Sequence, residues 1–226
     1  MTGSASRPLL QRDVQSGDEA KQLICELGAL FYTLGWVTGT GGGISIKCGD
    51  RIYMAPSGVQ KEHITPDTIY ELDLQGEVVA GPGPEFGLKV SECQPLFMAA
   101  YRLRGAGAVL HSHSVHAMLA SLLFDQHFAV THIEMLKGMA GAGYTDLHQV
   151  PIIENTPREH MLKDAITAAI ESAPANTHAV MVRRHGVYVW GDTWIAAKRH
   201  AECYDYLFQA AVEMKKLGLD PSLPPG

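Results

Sequence analysis

"WVTGTGGGISIKCGDRIYMAPSG", residues 36–58, is the stretch that sets the architecture. Its apolar positions recur every second residue: Ile44 and Ile46, then Ile52 and Met54. Between the two runs stand Cys48, Gly49 and Asp50, a turn composition. A period of two broken by a short turn predicts a β-hairpin. Strands joined this way run antiparallel. "TIYELDLQGEVVAG", residues 68–81, repeats the pattern with its turn near Gly76.

Outward from the hairpins the period changes. In "DEAKQLICELGALFYTLG", residues 18–35, Leu23, Ile24, Leu27, Leu30, Phe31 and Leu34 form one helical stripe, and Gly35 is the expected stop. "SECQPLFMAAYRLRG" predicts a helix from near Pro95 to Gly105, and "SVHAMLASLLF" a helix capped by Ser114. "AVLHSH", "VPIIE", "HAVMVRR" and "GVYVWG" read as strands. A helix is expected within "TPREHMLKDAITAAIESA", and a last one from an Asp192 cap to Gly218. Helices before, within and after the strands predict an α/β fold with both sheet faces covered. The division expected is a disordered lead-in over 1–17, one domain over 18–220 and a tail over 221–226.

Composition narrows the function classes. The 226 residues are 46% hydrophobic and 19% charged, which suits one sizeable core. The formal charge is -6 with no block of like sign, so neither nucleic acid nor an anionic membrane surface is an expected partner. Cys25, Cys48, Cys93 and Cys203 are scattered and form no CxxC pair, as in a reducing compartment. No apolar run approaches 18 residues and no secretory signal is evident, so the expectation is a cytoplasmic protein.

The chemistry starts at "AVLHSHSVHAML", residues 108–119. On a strand, His111 and His113 point to the same face, with Cβ atoms roughly 7 Å apart. Two imidazoles can converge from there on one ion. A lone HxH pair is equally an ordinary exposed strand end. His185 strengthens the metal reading, because "VMVRRHGVYVW" places it at a corner between two apolar strands. A catalytic metal wants three protein ligands and an open position. His116, His200 and the remaining histidines read as surface or satisfied core.

Glycine is concentrated in "TGTGGGIS", residues 38–45. The loop lacks the GK[ST] ending of a P-loop, and a strand follows where a Rossmann motif needs a helix. It is either a flexible hairpin approach or a backbone cradle for an anion. "APSGVQKE", residues 55–62, adds a second turn with Ser57, Gly58 and Lys61. Two such turns near one metal indicate a small phosphorylated substrate.

Taken together, "GTGGGIS", "MAPSGVQKE", "GAGAVLHSHS", "HIEMLKG", "PIIENTP" and "RRHGVYVWG" resemble the class II aldolase/adducin family, in order from about residue 20 to 222. The resemblance implies a three-layer α/β/α sandwich around a largely antiparallel sheet, assembled as a homotetramer. It implies about one Zn(2+) per subunit on His111, His113 and His185, and Glu134 as the catalytic carboxylate. Without the resemblance Glu134 reads as an ordinary glutamate. Phosphate is expected against Gly42 and Gly43, with Ser57, Gly58 and Ser91 as further donors. Lys61, Lys89 and Lys137 are unranked counter-charges.

The sugar-phosphate aldolases of this family carry a glutamate in a "KPSSE"-like stretch. Here the stretch is "KVSEC", and Cys93 takes that place. Gly43 stands where their glycine loop ends in asparagine. Both departures favour a dehydratase branch, for which the resemblance implies loss of water from 5-methylthioribulose 1-phosphate in methionine salvage. The alternatives are an aldolase or epimerase on another sugar phosphate, or a non-catalytic binding module like adducin. Cys93 is expected either to contact the substrate, with a pKa lowered by the helix N-terminus, or simply to pack.

Overall fold

The computed structural model describes residues 12–226. The lead-in expected over 1–17 therefore lies mostly outside the described residues. From residue 12 the chain is tied down: the Trp194 indole donates to the Arg12 carbonyl at 3.0 Å, and Arg12 pairs with Glu19.

Both hairpins form as the alternation predicts. Strand β1 (Gly43–Cys48) pairs antiparallel with β2 (Arg51–Met54), and β3 (Tyr70–Leu72) with β4 (Val78–Ala80). The later strands are β5 (Ala108–Ser112), β6 (His127–Val130), β7 (His148–Ile153), β8 (Ala179–Val182) and β9 (Gly186–Gly191). They complete one nine-stranded sheet in the order β4-β3-β2-β1-β5-β9-β8-β7-β6. Among the described residues only the β7–β8 pairing is parallel. The sequence reading missed β6, whose four residues are too few to establish a period.

Five helices cover the sheet: α1 (Gly17–Thr33), α2 (Gln94–Arg104), α3 (Val115–Leu123), α4 (Lys163–Ser172) and α5 (Trp194–Lys216). The alternation of strand side chains sorts them into two outer layers. Ile44, Ile46, Leu110, Met181 and Val189 join the core with α1, α3 and α5. Val109, Val180, Val182, Tyr188 and Trp190 point the other way and pack with α2 and α4. The result is the three-layer α/β/α sandwich, with apolar residues on both sides of each central strand as a doubly covered sheet requires.

Two helix starts differ from expectation. The cap of α5 is Thr193, not Asp192; its hydroxyl accepts the Ala196 N–H at 3.1 Å. Helix α4 begins only at Lys163, and residues Glu159–Leu162 form a separate 3₁₀ turn. That turn carries a side chain of the site.

Candidate metal centre and adjoining cavity

The histidines come together because three strand ends meet. Strand β5 ends at Ser112, and β9 begins at Gly186 beside it. Strand β8 ends at Val182, and a two-residue excursion brings the chain to His185. Arg184 is held there in the left-handed region at φ 56°, with its N–H donating to Ser121 Oγ at 2.9 Å. Glycine is required next. A Cβ on Gly186 would lie 2.0 Å from the Ser112 carbonyl, so only glycine lets this corner lie against β5.

The three Nε2 atoms form a nearly equilateral triangle. The separations are 2.9 Å for His111–His113, 3.0 Å for His113–His185 and 3.2 Å for His111–His185. The Nδ1 atoms define the tautomers. His111 Nδ1 faces the Val187 carbonyl at 3.1 Å, and His185 Nδ1 faces Asn155 Oδ1 at 3.2 Å. Both partners are acceptors, so both Nδ1 atoms carry the proton and both Nε2 atoms present lone pairs. Burial, together with the neighbouring imidazoles, pushes His113 down to about 3 and His185 to about 4. Neutral rings with converging lone pairs are a donor set for a divalent cation. An ion 2.0–2.1 Å from each nitrogen fits just off the plane of the triangle.

A fourth group, Glu159, completes the cluster. Its Oε1 lies 3.7 Å from His111 Nε2 and 3.6 Å from His185 Nε2. Burial works against its charge, but His111, Cys93 and His185 hold its carboxyl at about 2. The sequence reading missed Glu159 altogether. It lies in a stretch read as a helix, and nothing in its spacing links it to the histidines.

The glycine loop has a role that was not expected. A Cβ on Gly41 would lie 2.3 Å from His113 Nδ1, and one on Gly42 would lie 2.8 Å from the His111 carbonyl. Gly42 is also left-handed at φ +71°. The loop thus leaves room for two of the donor histidines. Gly41→Ala is expected to fold normally but to turn the His113 ring, lowering metal affinity roughly 10–100-fold, as loss of a supporting contact does. Metal content equal to the parent's after dialysis would show that the loop yields instead.

Beside the cluster lies a cavity of about 290 Å³. Gly42, Ser57, Gly58, Ser91 and Cys93 all line it, as do Thr40, Gly41 and Lys61. Gly43 does not: it is paired with His111 inside the β1–β5 ladder. Of Lys61, Lys89 and Lys137, Lys61 alone lines the cavity. Lys61 is buried in the cavity wall, its ammonium donating to the Thr40 and Val59 carbonyls at 3.1 and 3.0 Å. Lys89 is exposed, and Lys137 is ion-paired to Glu134 at 2.9 Å. A second cleft, about 460 Å³, also borders Glu159 and is lined by His113, Asn155, Arg158, Arg184 and His185.

One expectation needs correction. The helix N-terminus does not lower the Cys93 pKa; burial, and then the Glu159 carboxylate, push it well up. The side chain is a buried thiol whose sulfur lies 2.9 Å from Glu159 Oε2. Glu134, for its part, is not near the histidines of its own chain. Strands β7 and β8 run parallel toward the cluster, and β6 runs back from it. The end of β6, Val130, is level with His148, seven residues before Asn155. At about 3.3 Å per residue that places Glu134 roughly 20 Å away, at the opposite end of the sheet. It is exposed there on a 3₁₀ turn, Glu134–Gly138.

Comparison with known proteins fits this geometry. The family "Class II Aldolase and Adducin N-terminal domain" matches residues 22–212. The chain is 56% identical to methylthioribulose-1-phosphate dehydratase of Homo sapiens over 220 residues, covering 94% of this chain and 90% of that one. It is 56% identical to the Aquarana catesbeiana protein of the same name, covering 91% and 88%. Among solved structures, an L-fuculose 1-phosphate aldolase superposes with a TM-score of 0.75 at 21% identity, covering 94% and 92%. YgbL of Klebsiella pneumoniae, a putative aldolase/epimerase/decarboxylase, superposes at 0.72 with 18% identity, covering 91% and 92%. These last two likenesses are of fold alone.

Proposed function

The chain belongs to the class II aldolase and adducin family, and from that premise we propose that it removes water from 5-methylthioribulose 1-phosphate, giving 2,3-diketo-5-methylthiopentyl 1-phosphate in methionine salvage. The observation that carries the reading is the convergence of three imidazole lone pairs beside a glycine-lined cavity with a buried lysine. The relatives at 56% identity select the dehydration among the family's reactions. An intact donor set speaks against a purely adducin-like binding role.

Zn(2+), about one per subunit, is held by His111, His113 and His185. When bound, it polarises the C2 ketone and stabilises the negative charge that develops as the C3 proton leaves. The phosphate occupies the 290 Å³ cavity. Thr40 and Gly42 offer backbone N–H groups, Ser57 and Ser91 offer hydroxyls, and Lys61 supplies the opposing charge. The sugar chain then crosses the histidines toward the second cleft. The C3–H bond breaks, the C4 hydroxyl takes up a proton and leaves as water, and the resulting enol ketonises as C4 gains a proton. Glu134 is the acid/base for these transfers.

Since Glu134 stands at the far end of its own sheet, it serves the site of a neighbouring copy. A homotetramer, the family assembly, supplies that neighbour. We place its activity in the cytoplasm, on the scattered spacing of its four cysteines.

Incubation of the zinc-loaded protein with 5-methylthioribulose 1-phosphate should give one product lighter by one water with its carbon chain intact. Cleavage of a carbon–carbon bond, or turnover confined to other pentulose or deoxyhexulose phosphates, would move the chain to the aldolase or epimerase branch.

A further inference from the structure

On the reading that His111, His113 and His185 hold a divalent ion, we propose that Glu159 is a fourth, exchangeable ligand that closes the site at rest and gives way to the substrate. The distances point to ligation and not to hydrogen bonding. At 3.6 and 3.7 Å, Oε1 is too far from His185 and His111 Nε2 for a hydrogen bond. The protons of both rings are on Nδ1, bonded elsewhere. No proton therefore lies between carboxylate and imidazoles. Yet all four groups bring a donor atom within 4.8 Å of every other. Four donors around a common centre at 2.0–2.1 Å stand about 3.3 Å apart in a regular tetrahedron; five of the six separations here run from 2.9 to 3.7 Å, and the sixth, His113 to Glu159, is longer but within 4.8 Å.

The four donors are not held equally. His111 and His185 are fixed through Nδ1 to a carbonyl and an amide oxygen, and His113 is anchored through its backbone, whose N–H donates to the Trp36 carbonyl at 2.7 Å. Glu159 stands on a four-residue 3₁₀ turn between β7 and α4. Outside the histidines, its carboxylate has one partner among the described residues, the Cys93 thiol at 2.9 Å from Oε2. A thiol is a weak donor, so the hold is easily broken. Its position also matters. Glu159, with Glu92, lines both the 290 Å³ cavity and the 460 Å³ cleft, so the two spaces meet at these side chains. A substrate with its phosphate in the first and its far end in the second must cross this point. A permanently four-coordinate ion would leave no position for the substrate, as in structural sites. An exchangeable carboxylate satisfies both demands.

Cobalt(II) substitution tests this, because its visible absorption reports the ligands directly. The probe for exchange is dihydroxyacetone phosphate, which offers ketone, adjacent hydroxyl and phosphate but has no fourth carbon from which water could leave. Wild type should bind one Co(II) per chain. Glu159→Gln and Glu159→Ala, with melting curves to verify folding, should bind it on the order of 100-fold more weakly, the top of the range for loss of a mere supporting partner. Their spectra should differ from wild type without the probe and coincide with it once the probe is saturating. Identical spectra and affinities without the probe would show that Glu159 is no ligand. Spectra that still differ under saturating probe would show that it never leaves. A wild-type protein that takes up no cobalt, or keeps it after loss of the histidines, would overturn the metal reading and this proposal with it.

Discussion

His185→Ala is expected to empty the metal site and to lower turnover by roughly 10³-fold or more, while the fold survives. The rate estimate follows from the several kcal/mol that a Lewis acid contributes to charge stabilisation, at about 1.4 kcal/mol per decade. The fold should survive because His185 is only half-buried at a strand corner and belongs to neither core cluster. The backbone around it is fixed independently: the Arg183 N–H bonds the Ile153 carbonyl at 2.9 Å, and Gly186 pairs with Val182. Removing the ring leaves two imidazoles and Glu159, a weaker and more open donor set. Metal analysis after dialysis, beside a thermal melt, reads both halves of the expectation. A His185→Ala protein that keeps its full metal content would remove this residue from the donor set.

Glu134→Gln should behave in the opposite way, keeping metal and fold but losing roughly 10²–10⁴-fold in rate, the range for a general acid–base group. Glu134 is exposed, and Lys137 is its partner at 2.9 Å. A surface ion pair of this kind contributes little to stability, so the amide should cost almost nothing in folding. The position of Glu134 adds a stronger test. If it serves a neighbour, each active site combines histidines from one chain with a carboxylate from another. Unfolding and reassembling His185→Ala together with Glu134→Gln should then restore activity, because random mixing leaves roughly a quarter of sites with both groups intact. Two inactive proteins that stay inactive when mixed, in oligomers shown to have exchanged subunits, would refute the shared site. Near-normal turnover by Glu134→Gln alone would transfer the proton chemistry to another group.

The sequence by itself determined the local structure and the kind of site. Ile44 and Ile46 face the α1, α3 and α5 layer and Ile52 and Met54 the α2 and α4 layer, two residues apart in each strand because successive side chains point to opposite faces. Period two is a property of the strand itself, so it is visible without the rest of the molecule. The His111–His113 pair was legible for the same reason: two positions apart on a strand means one face. His185 was legible from its corner between two apolar runs. Ser57, Gly58 and Ser91 could be named as small donors, and the cavity does gather them.

What only the tertiary structure decided concerns residues whose meaning depends on a distant neighbour. Glu159 has no local pattern; it joins the site because β7 runs parallel to β8 and delivers the following turn to the ends of β5 and β9. Cys93 could be placed near the metal by resemblance, but not its protonation, which burial and the Glu159 carboxylate set together. Gly41 reads in sequence as a possible anion cradle, and only the fold shows the His113 ring where its Cβ would be. Glu134 shows the limit most clearly. The family resemblance alone singles it out, while the antiparallel β6 carries it away from the histidines of its own chain. Periodicity and residue type are encoded within a few residues. Strand order and direction arise from contacts between segments far apart in the chain, and those contacts determine which side chains share a site.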